Sequence, residues 1–97
     1  MRVIAKRTLR EFWIFHPAAK LPLQVWHART AGSRWSTPAE LKATFPDASI
    51  LRGGRVVFNI KGNRFRLVAQ VNYAYHVVYV RFVGTHEAYD VIDADTV

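Results

Sequence analysis

Residues 56–90 read VVFNIKGNRFRLVAQVNYAYHVVYVRFVGTHEAYD, and this segment carries the strongest β-sheet signal in the chain. Apolar and β-branched residues lie on both sides of Gly62-Asn63, a pair that tolerates the positive φ angles of a tight turn. A two-residue turn at this position places Asn59 opposite Arg66 on adjacent antiparallel strands. We therefore predict a β-hairpin centred on this pair.

The predicted hairpin has two chemically different faces, because side chains alternate across a sheet. The apolar face carries Val56, Phe58, Ile60, Phe65, Leu67 and Ala69. The cationic face carries Asn59, Lys61, Arg64 and Arg66. We expect helices to cover the apolar face and expect the cationic face to stay open.

A third strand is predicted at His76–Val83, and its register decides which further side chains join each face. A four-residue connection, Asn72–Tyr75, places Arg66 opposite Arg81. It puts Val78, Val80 and Phe82 on the apolar face, and Tyr79 and Arg81 on the cationic face. A three-residue connection reverses all of these assignments.

The first half of the chain is predicted to supply one short strand and three helices. Arg2–Ala5 is the strand, and Thr8–Glu11 has the capping-box pattern that begins a helix ending before Pro17. A second helix covers about residues 20–31, and the capping box Thr37–Glu40 opens a third. The whole chain then forms one α+β domain, residues 1–97, with this strand and these helices on one face of a small antiparallel sheet of three or four strands and a short C-terminal turn or helix.

Tryptophan and histidine side chains in this half are interpreted mainly as packing groups. Trp13 and Trp26 fall on helical stripes and are predicted to be buried. His16 is expected to end its helix, where the dipole favours a cation, and not to act as a ligand or catalyst. Trp35, beside an arginine in a predicted loop, either stacks on a base or closes the core, and the sequence leaves both interpretations open.

The formal charge of +7 is unevenly distributed along the chain. Residues 1–66 hold thirteen Lys or Arg against three acidic residues, whereas residues 67–97 hold one Arg against four acidic residues. A basic surface of this kind predicts a polyanionic partner, either nucleic acid or an acidic protein. A solubilising coat is the alternative.

Several other classes of site find no support in the sequence. The chain has no cysteine, which excludes disulfides and thiolate chemistry. His27 has no carboxylate or second histidine one helical turn away, and we expect neither a metal site nor a cofactor. No apolar run approaches the ~18 residues of a membrane span, and the charged N-terminus lacks the apolar region of a signal peptide. We therefore expect a cytoplasmic protein with no membrane partner.

The candidate chemistry follows the third strand, in the sequence GTHEAYD at residues 84–90. If Thr85 caps a turn of helix, His86, Tyr89 and Asp90 become neighbours at i, i+3 and i+4. Histidine suits proton transfer near neutral pH, and nearby basic side chains can hold a phosphate. The alternative is that the histidine and the aspartate only satisfy each other.

The chain resembles the HigB family of bacterial toxins, members of the RelE-like superfamily of messenger-RNA interferases. The residues that carry the resemblance are ELKATFPDAS, VFNIKGNRFRLVAQVNY and VVYVRFVGTHEAYD. It implies a RelE-like α+β toxin that cleaves translated messenger RNA. The implied partners are a HigA-like antitoxin and messenger RNA on the ribosome, with operator DNA reached only through the antitoxin complex.

The resemblance also implies roles for single residues. Lys61 and Arg66 fall where related toxins keep phosphate-contacting basic residues, and His86 falls where they keep a basic or acid/base residue. With Tyr89, which belongs to the same signature, these form the predicted catalytic set. The predicted RNA-binding residues are Asn59, Arg64, Arg81 and Asp90. In the implied mechanism, which needs no metal, a ribose 2′-hydroxyl attacks its own phosphate and His86 protonates the leaving oxygen.

Two other functions remain open at this point. Toxins of the same fold can act on gyrase without cutting RNA, and a nucleic-acid or ribosome-binding module would also use a basic face. Neither function needs an acid/base group beside phosphate binders, so the presence of Lys61, Arg66 and His86 favours the nuclease.

Overall fold

The computed structural model describes all 97 residues and contains four α-helices and a five-stranded sheet. The helices are α1 (Lys6–Phe15), α2 (Lys20–Ala31), α3 (Pro38–Thr44) and α4 (His86–Asp90). The strands are β1 (Arg2–Ile4), β2 (Ser49–Ile50), β3 (Arg55–Ile60), β4 (Phe65–Asn72) and β5 (Val77–Thr85). Their order is β1-β5-β4-β3-β2, with β1 parallel to β5 and every other pair antiparallel. The predicted α+β class is confirmed, but β1 joins the edge of the sheet, parallel to β5, instead of lying on one face of it. The short β2 adds a further strand at the other edge.

The helices begin for different reasons. The Thr37 hydroxyl accepts a hydrogen bond from the Glu40 amide at 3.3 Å, so the capping box of α3 is confirmed. The one predicted for α1 is wrong, because α1 already begins after Ala5, which has a φ of 95°. Glu11 accepts instead from the side chain of Arg7 at 2.9 Å. None of the helices combines the length and the hydropathy that a bilayer crossing requires.

The central hairpin forms in the predicted register, with Asn59 opposite Arg66. The Arg64 amide donates to the Lys61 carbonyl at 3.3 Å, which closes the turn around the predicted Gly62-Asn63 pair. The positive φ angles, however, fall on Lys61 (52°) and Gly62 (63°) and not on Asn63. Positive φ costs a residue with a side chain about 1–2 kcal/mol. Lys61 therefore leaves the extended conformation of β3, and strand alternation no longer decides the direction of its side chain.

The apolar face of the hairpin packs under the helices as predicted. Its six apolar residues, Val56, Phe58, Ile60, Phe65, Leu67 and Ala69, are each 3% exposed or less. Helix α2 contributes Trp26, whose ring meets Phe58 edge-on with centroids 5.3 Å apart. Trp35 is buried, and its indole nitrogen donates to the Thr44 hydroxyl at 3.1 Å. Trp35 therefore closes the core and is not available to stack on a base.

The register of β5 differs from the prediction. Arg66 lies opposite Gly84 and not opposite Arg81. The connection runs from Tyr73 to His76, one residue further along than expected, and a β-bulge then interrupts the pairing between β4 and β5. The longer β4 strand and the bulge together move the partners of Arg66 along β5.

The bulge also changes which face Phe82 occupies. Phe82 pairs with Val68, on the side opposite the core, whereas the prediction placed it on the apolar face. A bulge adds one residue to one strand and so reverses the alternation beyond it. A Cβ atom on Gly84 would lie 2.5 Å from Cζ of Phe82, so the ring of Phe82 rests where only glycine leaves room.

The second face of the sheet is open only in part, which corrects the expectation of an open cationic face. Val57 and Val68 point to this face, yet they are 3% and 0% exposed. The carbonyl oxygen of Val97 accepts from Arg55 at 2.6 Å and from Arg81 at 3.4 Å. The chain after α4 therefore crosses this face, engages Arg81, and leaves open the end nearest the hairpin turn.

Candidate active site

The start of α4 is tied to the hairpin turn. The Thr85 hydroxyl accepts a hydrogen bond from the Ala88 amide at 3.1 Å, so Thr85 caps the helix as predicted. The His86 amide donates to the Arg64 carbonyl at 3.0 Å, one step beyond the last β4–β5 pair. The backbone therefore holds the first residue of α4 against the turn between β3 and β4.

His86 and Asp90 form a pair on α4, with Nδ1 of the imidazole 3.2 Å from a carboxylate oxygen. Their side chains are 39% and 55% exposed, so solvent screens the attraction. The carboxylate occupies one ring nitrogen and leaves Nε2 to exchange a proton with a ligand. The i, i+4 arrangement expected from the sequence is confirmed, and it is the arrangement in which a carboxylate orients an acid/base histidine.

Arg66 links the hairpin turn to α4 from the other face of the sheet. Its guanidinium lies 5.8 Å from the centre of the Tyr89 ring, a cation–π contact of about 0.5–1 kcal/mol at an exposed site. One nitrogen donates to the Asn63 carbonyl at 2.9 Å, and another donates to the Asn63 side-chain oxygen. Arg66 is thus held in place beside Tyr89 and still reaches the surface.

A polar cleft of about 440 Å³ opens between the end of α1, the hairpin turn and the start of α4. It is lined by His16, Asn63, Arg64, Phe65, Thr85, His86 and Glu87. Of these, His16 was interpreted from the sequence as a helix terminus only. Its position in the cleft depends on how α1 packs against the sheet, and no sequence spacing signals it. Arg64 and His86 line the same cleft, and the Arg64 guanidinium lies 5.5 Å from the centre of the Phe65 ring.

Lys61 and Asn59 line a different groove, of about 450 Å³, between the hairpin and helices α2 and α3. The Asn59 amide reaches toward the Asp47 carbonyl at 3.5 Å. Lys61 is not among the residues that line the cleft of His86. The expected grouping of Lys61, Arg66 and His86 on one surface is therefore divided. Lys61 lines the groove beside α2 and α3, His86 lines the cleft, and Arg66 lines neither and lies against Tyr89.

The fold is that of RelE-like toxins: residues 19–92 match a family model described as the RelE-like toxic component of a toxin–antitoxin system. The chain belongs to this family, the HigB toxins. It is 31% identical over 96 residues to the mRNA interferase toxin HigB of Escherichia coli K12, covering 97% of this chain and 92% of the relative. The mRNA interferase HigB of Shigella flexneri matches to the same extent. A further mRNA interferase HigB, from Escherichia coli O6:H1, is 27% identical over 93% of this chain and 89% of the relative.

Proposed function

We propose that this toxin is an mRNA interferase, an endoribonuclease that cuts messenger RNA during translation. The observation that carries the proposal is the His86–Asp90 pair at the rim of a polar cleft that also holds Arg64. An oriented imidazole beside a guanidinium supplies a proton donor and a phosphate binder at one place. The names of the relatives support the same activity.

In the proposed reaction, the ribose 2′-oxygen attacks the adjacent phosphorus and the bond from phosphorus to the 5′-oxygen breaks. His86 gives a proton to the departing 5′-oxygen through Nε2, while Asp90 holds the ring. Arg64, which lines the cleft, neutralises the charge that grows on the phosphate oxygens. Arg66 lies outside that lining, beside Tyr89, and we assign it to the phosphate next to the cut. The products are a 2′,3′-cyclic phosphate and a 5′-hydroxyl, and no step requires a metal ion.

The remaining predicted residues bind the message. Tyr89 offers a ring beside Arg66 on which a base can stack. Lys61 and Asn59 bind the backbone of the strand on the far side of the hairpin turn. Arg81 faces the C-terminal segment, so we assign it a supporting role in the sheet and no direct contact with RNA.

The setting follows from the activity. The toxin acts in the cytoplasm, where it meets messenger RNA on the ribosome. A HigA-like antitoxin neutralises it, and the pair reaches operator DNA through the antitoxin. The basic surface around the hairpin turn supports binding to messenger RNA, and the affinity should fall as the salt concentration rises.

The test is to map RNA ends in a reconstituted translation reaction, with and without ribosomes. We expect breaks inside translated messages, with cyclic-phosphate and 5′-hydroxyl ends, only when ribosomes are present. Ends carrying a 3′-hydroxyl and a 5′-phosphate would contradict the metal-free route. Intact messages together with altered DNA supercoiling would instead identify a gyrase-directed toxin.

A further inference from the structure

His16 is fixed at the end of α1 by its neighbours in the chain and in space. Pro17 lacks an amide hydrogen and ends the helix, and the His16 amide donates to the Phe12 carbonyl at 3.0 Å. The imidazole stacks on the Phe12 ring with centroids 4.3 Å apart and planes at 17°. It also meets the Phe65 ring edge-on at 6.1 Å. Two aromatic rings therefore set the direction of the imidazole.

The ring nitrogens of His16 are available to a ligand. They form no hydrogen bond within the protein, and neither is sealed from solvent, whereas Nε2 of His76 is buried without a partner. A histidine at the end of a helix can donate to one of the free carbonyl groups there. His16 makes no such bond, so both of its ring nitrogens are open to a ligand.

The cleft places this second imidazole across from the first. Its floor is the cross-strand pair Phe65–Thr85, with α1 on one side and α4 on the other. The centre of the Phe65 ring lies 6.1 Å from that of the His16 ring and 5.5 Å from the Arg64 guanidinium. An imidazole from α1, an imidazole from α4 and a guanidinium from the turn thus line one space.

We infer that His16 is the general base of this cleft and that His86 is its general acid, an assignment that rests on the proposed ribonuclease function. Attack of the 2′-oxygen in line with the departing 5′-oxygen puts the two proton transfers on opposite sides of the phosphorus, where one imidazole cannot serve both. His16 takes the proton of the 2′-hydroxyl as the new oxygen–phosphorus bond forms. His86 gives its proton to the 5′-oxygen as the old bond breaks. Solvent then returns each histidine to its starting state.

The test compares single-turnover cleavage by four variants on ribosome-bound message. His16→Gln removes the imidazole, and His16→Phe removes it while keeping a ring stacked on Phe12. Loss of a general base slows the reaction by about 10²–10⁴-fold, and we expect both variants to show this loss. His27→Gln is the matched control, since His27 is a half-buried helical histidine outside the cleft. Glu87→Gln tests the carboxylate that shares the cleft.

A second message separates the base from the acid. It carries sulfur in place of the 5′-bridging oxygen at the mapped cleavage site, and sulfur departs without being protonated. His86→Ala should then recover toward the wild-type rate, whereas His16→Phe should stay slow. Binding of an uncleavable 2′-O-methyl message should be the same for His16→Phe and wild type, which separates catalysis from folding and affinity.

The results distinguish failure of the proposed function from failure of the assignment of His16 as the base. If wild-type protein cuts no message, the proposed function itself fails. If wild type cuts and both His16 variants match His27→Gln, only the assignment of the base fails. Rescue of His16→Phe by sulfur would also overturn it, because His16 would then act on the leaving group. A loss seen with Glu87→Gln and not with the His16 variants would give the role of base to Glu87.

Discussion

The cleft and the groove lie on either side of the hairpin turn and have nearly equal volumes, about 440 Å³ and 450 Å³. They differ in the kinds of residue that line them. The cleft beside α4 is lined mainly by polar side chains that the core does not need. The groove beside α2 is walled by core residues, among them Trp26, Phe58 and Ile60, each 3% exposed or less. Changes in the cleft should therefore alter chemistry and spare stability. Changes in the groove should do the reverse, apart from its exposed rim.

The largest effect expected in the cleft follows from His86→Ala. Removal of a general acid should slow cleavage of ribosome-bound message by about 10²–10⁴-fold. The side chain is 39% exposed, so the melting temperature should change little. Rate and thermal unfolding are measured on the same sample. A wild-type rate would show that the proton comes from elsewhere.

The counterpart in the groove is Phe58→Ala. Phe58 is 1% exposed and contacts Trp26 and Phe45 edge-on, and truncation of a buried phenylalanine costs about 3–5 kcal/mol of unfolding free energy. Denaturant titration measures the loss. The folded fraction that remains should cut RNA at the wild-type rate. A specific loss of activity per folded molecule would mean that the groove takes part in the reaction.

A smaller and different effect is expected at the groove's rim, from Lys61→Ala. Alanine keeps a side chain at the positive φ of 52°, so the strain of the turn stays similar while the cation is lost. Binding of uncleavable message should weaken, and the slope of log affinity against log salt should fall by about 1. Arg7→Ala, which breaks an exposed pair with Glu11 on α1, is the control of equal charge. An unchanged slope would remove Lys61 from the RNA path.

The smallest effect is a pH-dependent change in stability at His27, the control histidine outside the cleft and the groove. Burial, followed by the charge of Lys6, lowers the pKa of His27 below its usual 6.5. As pH falls below 6.5, the unfolded chain therefore takes up a proton at this ring that the folded chain does not, and the protein loses stability. His27→Gln should lose less stability than wild type between pH 7 and pH 5, as measured by thermal melts. An equal loss in both proteins would contradict this.

The features predicted correctly depend on residues close together in the chain, although the capping box at Thr8 is equally local and did not form. The hairpin register, the span of α2 and the caps at Thr37 and Thr85 depend on neighbouring residues, and each is confirmed. The β-bulge in β5 was not predictable in this way, because it reflects packing on both faces of the sheet. The same holds for the crossing of the C-terminal segment.

The candidate site shows the same division. His86, Tyr89 and Asp90 were found together because one turn of helix joins them. His16 was missed because its place in the cleft depends on the docking of α1, a contact between distant parts of the chain. Lys61 was misplaced because its positive φ takes it out of the extended strand, so strand alternation no longer decides which groove its side chain lines.

The left-handed conformation of Lys61 sets the stability of the fold against the binding of RNA. Glycine at this position would relieve the strain of the turn at the expense of some freedom in the unfolded chain, so Lys61→Gly should raise unfolding free energy by up to about 1 kcal/mol. The same replacement deletes the cation that we assign to the message. Selection for thermal stability would thus favour a substitution that weakens RNA binding. For Lys61→Gly, we expect a higher melting temperature together with lower toxicity.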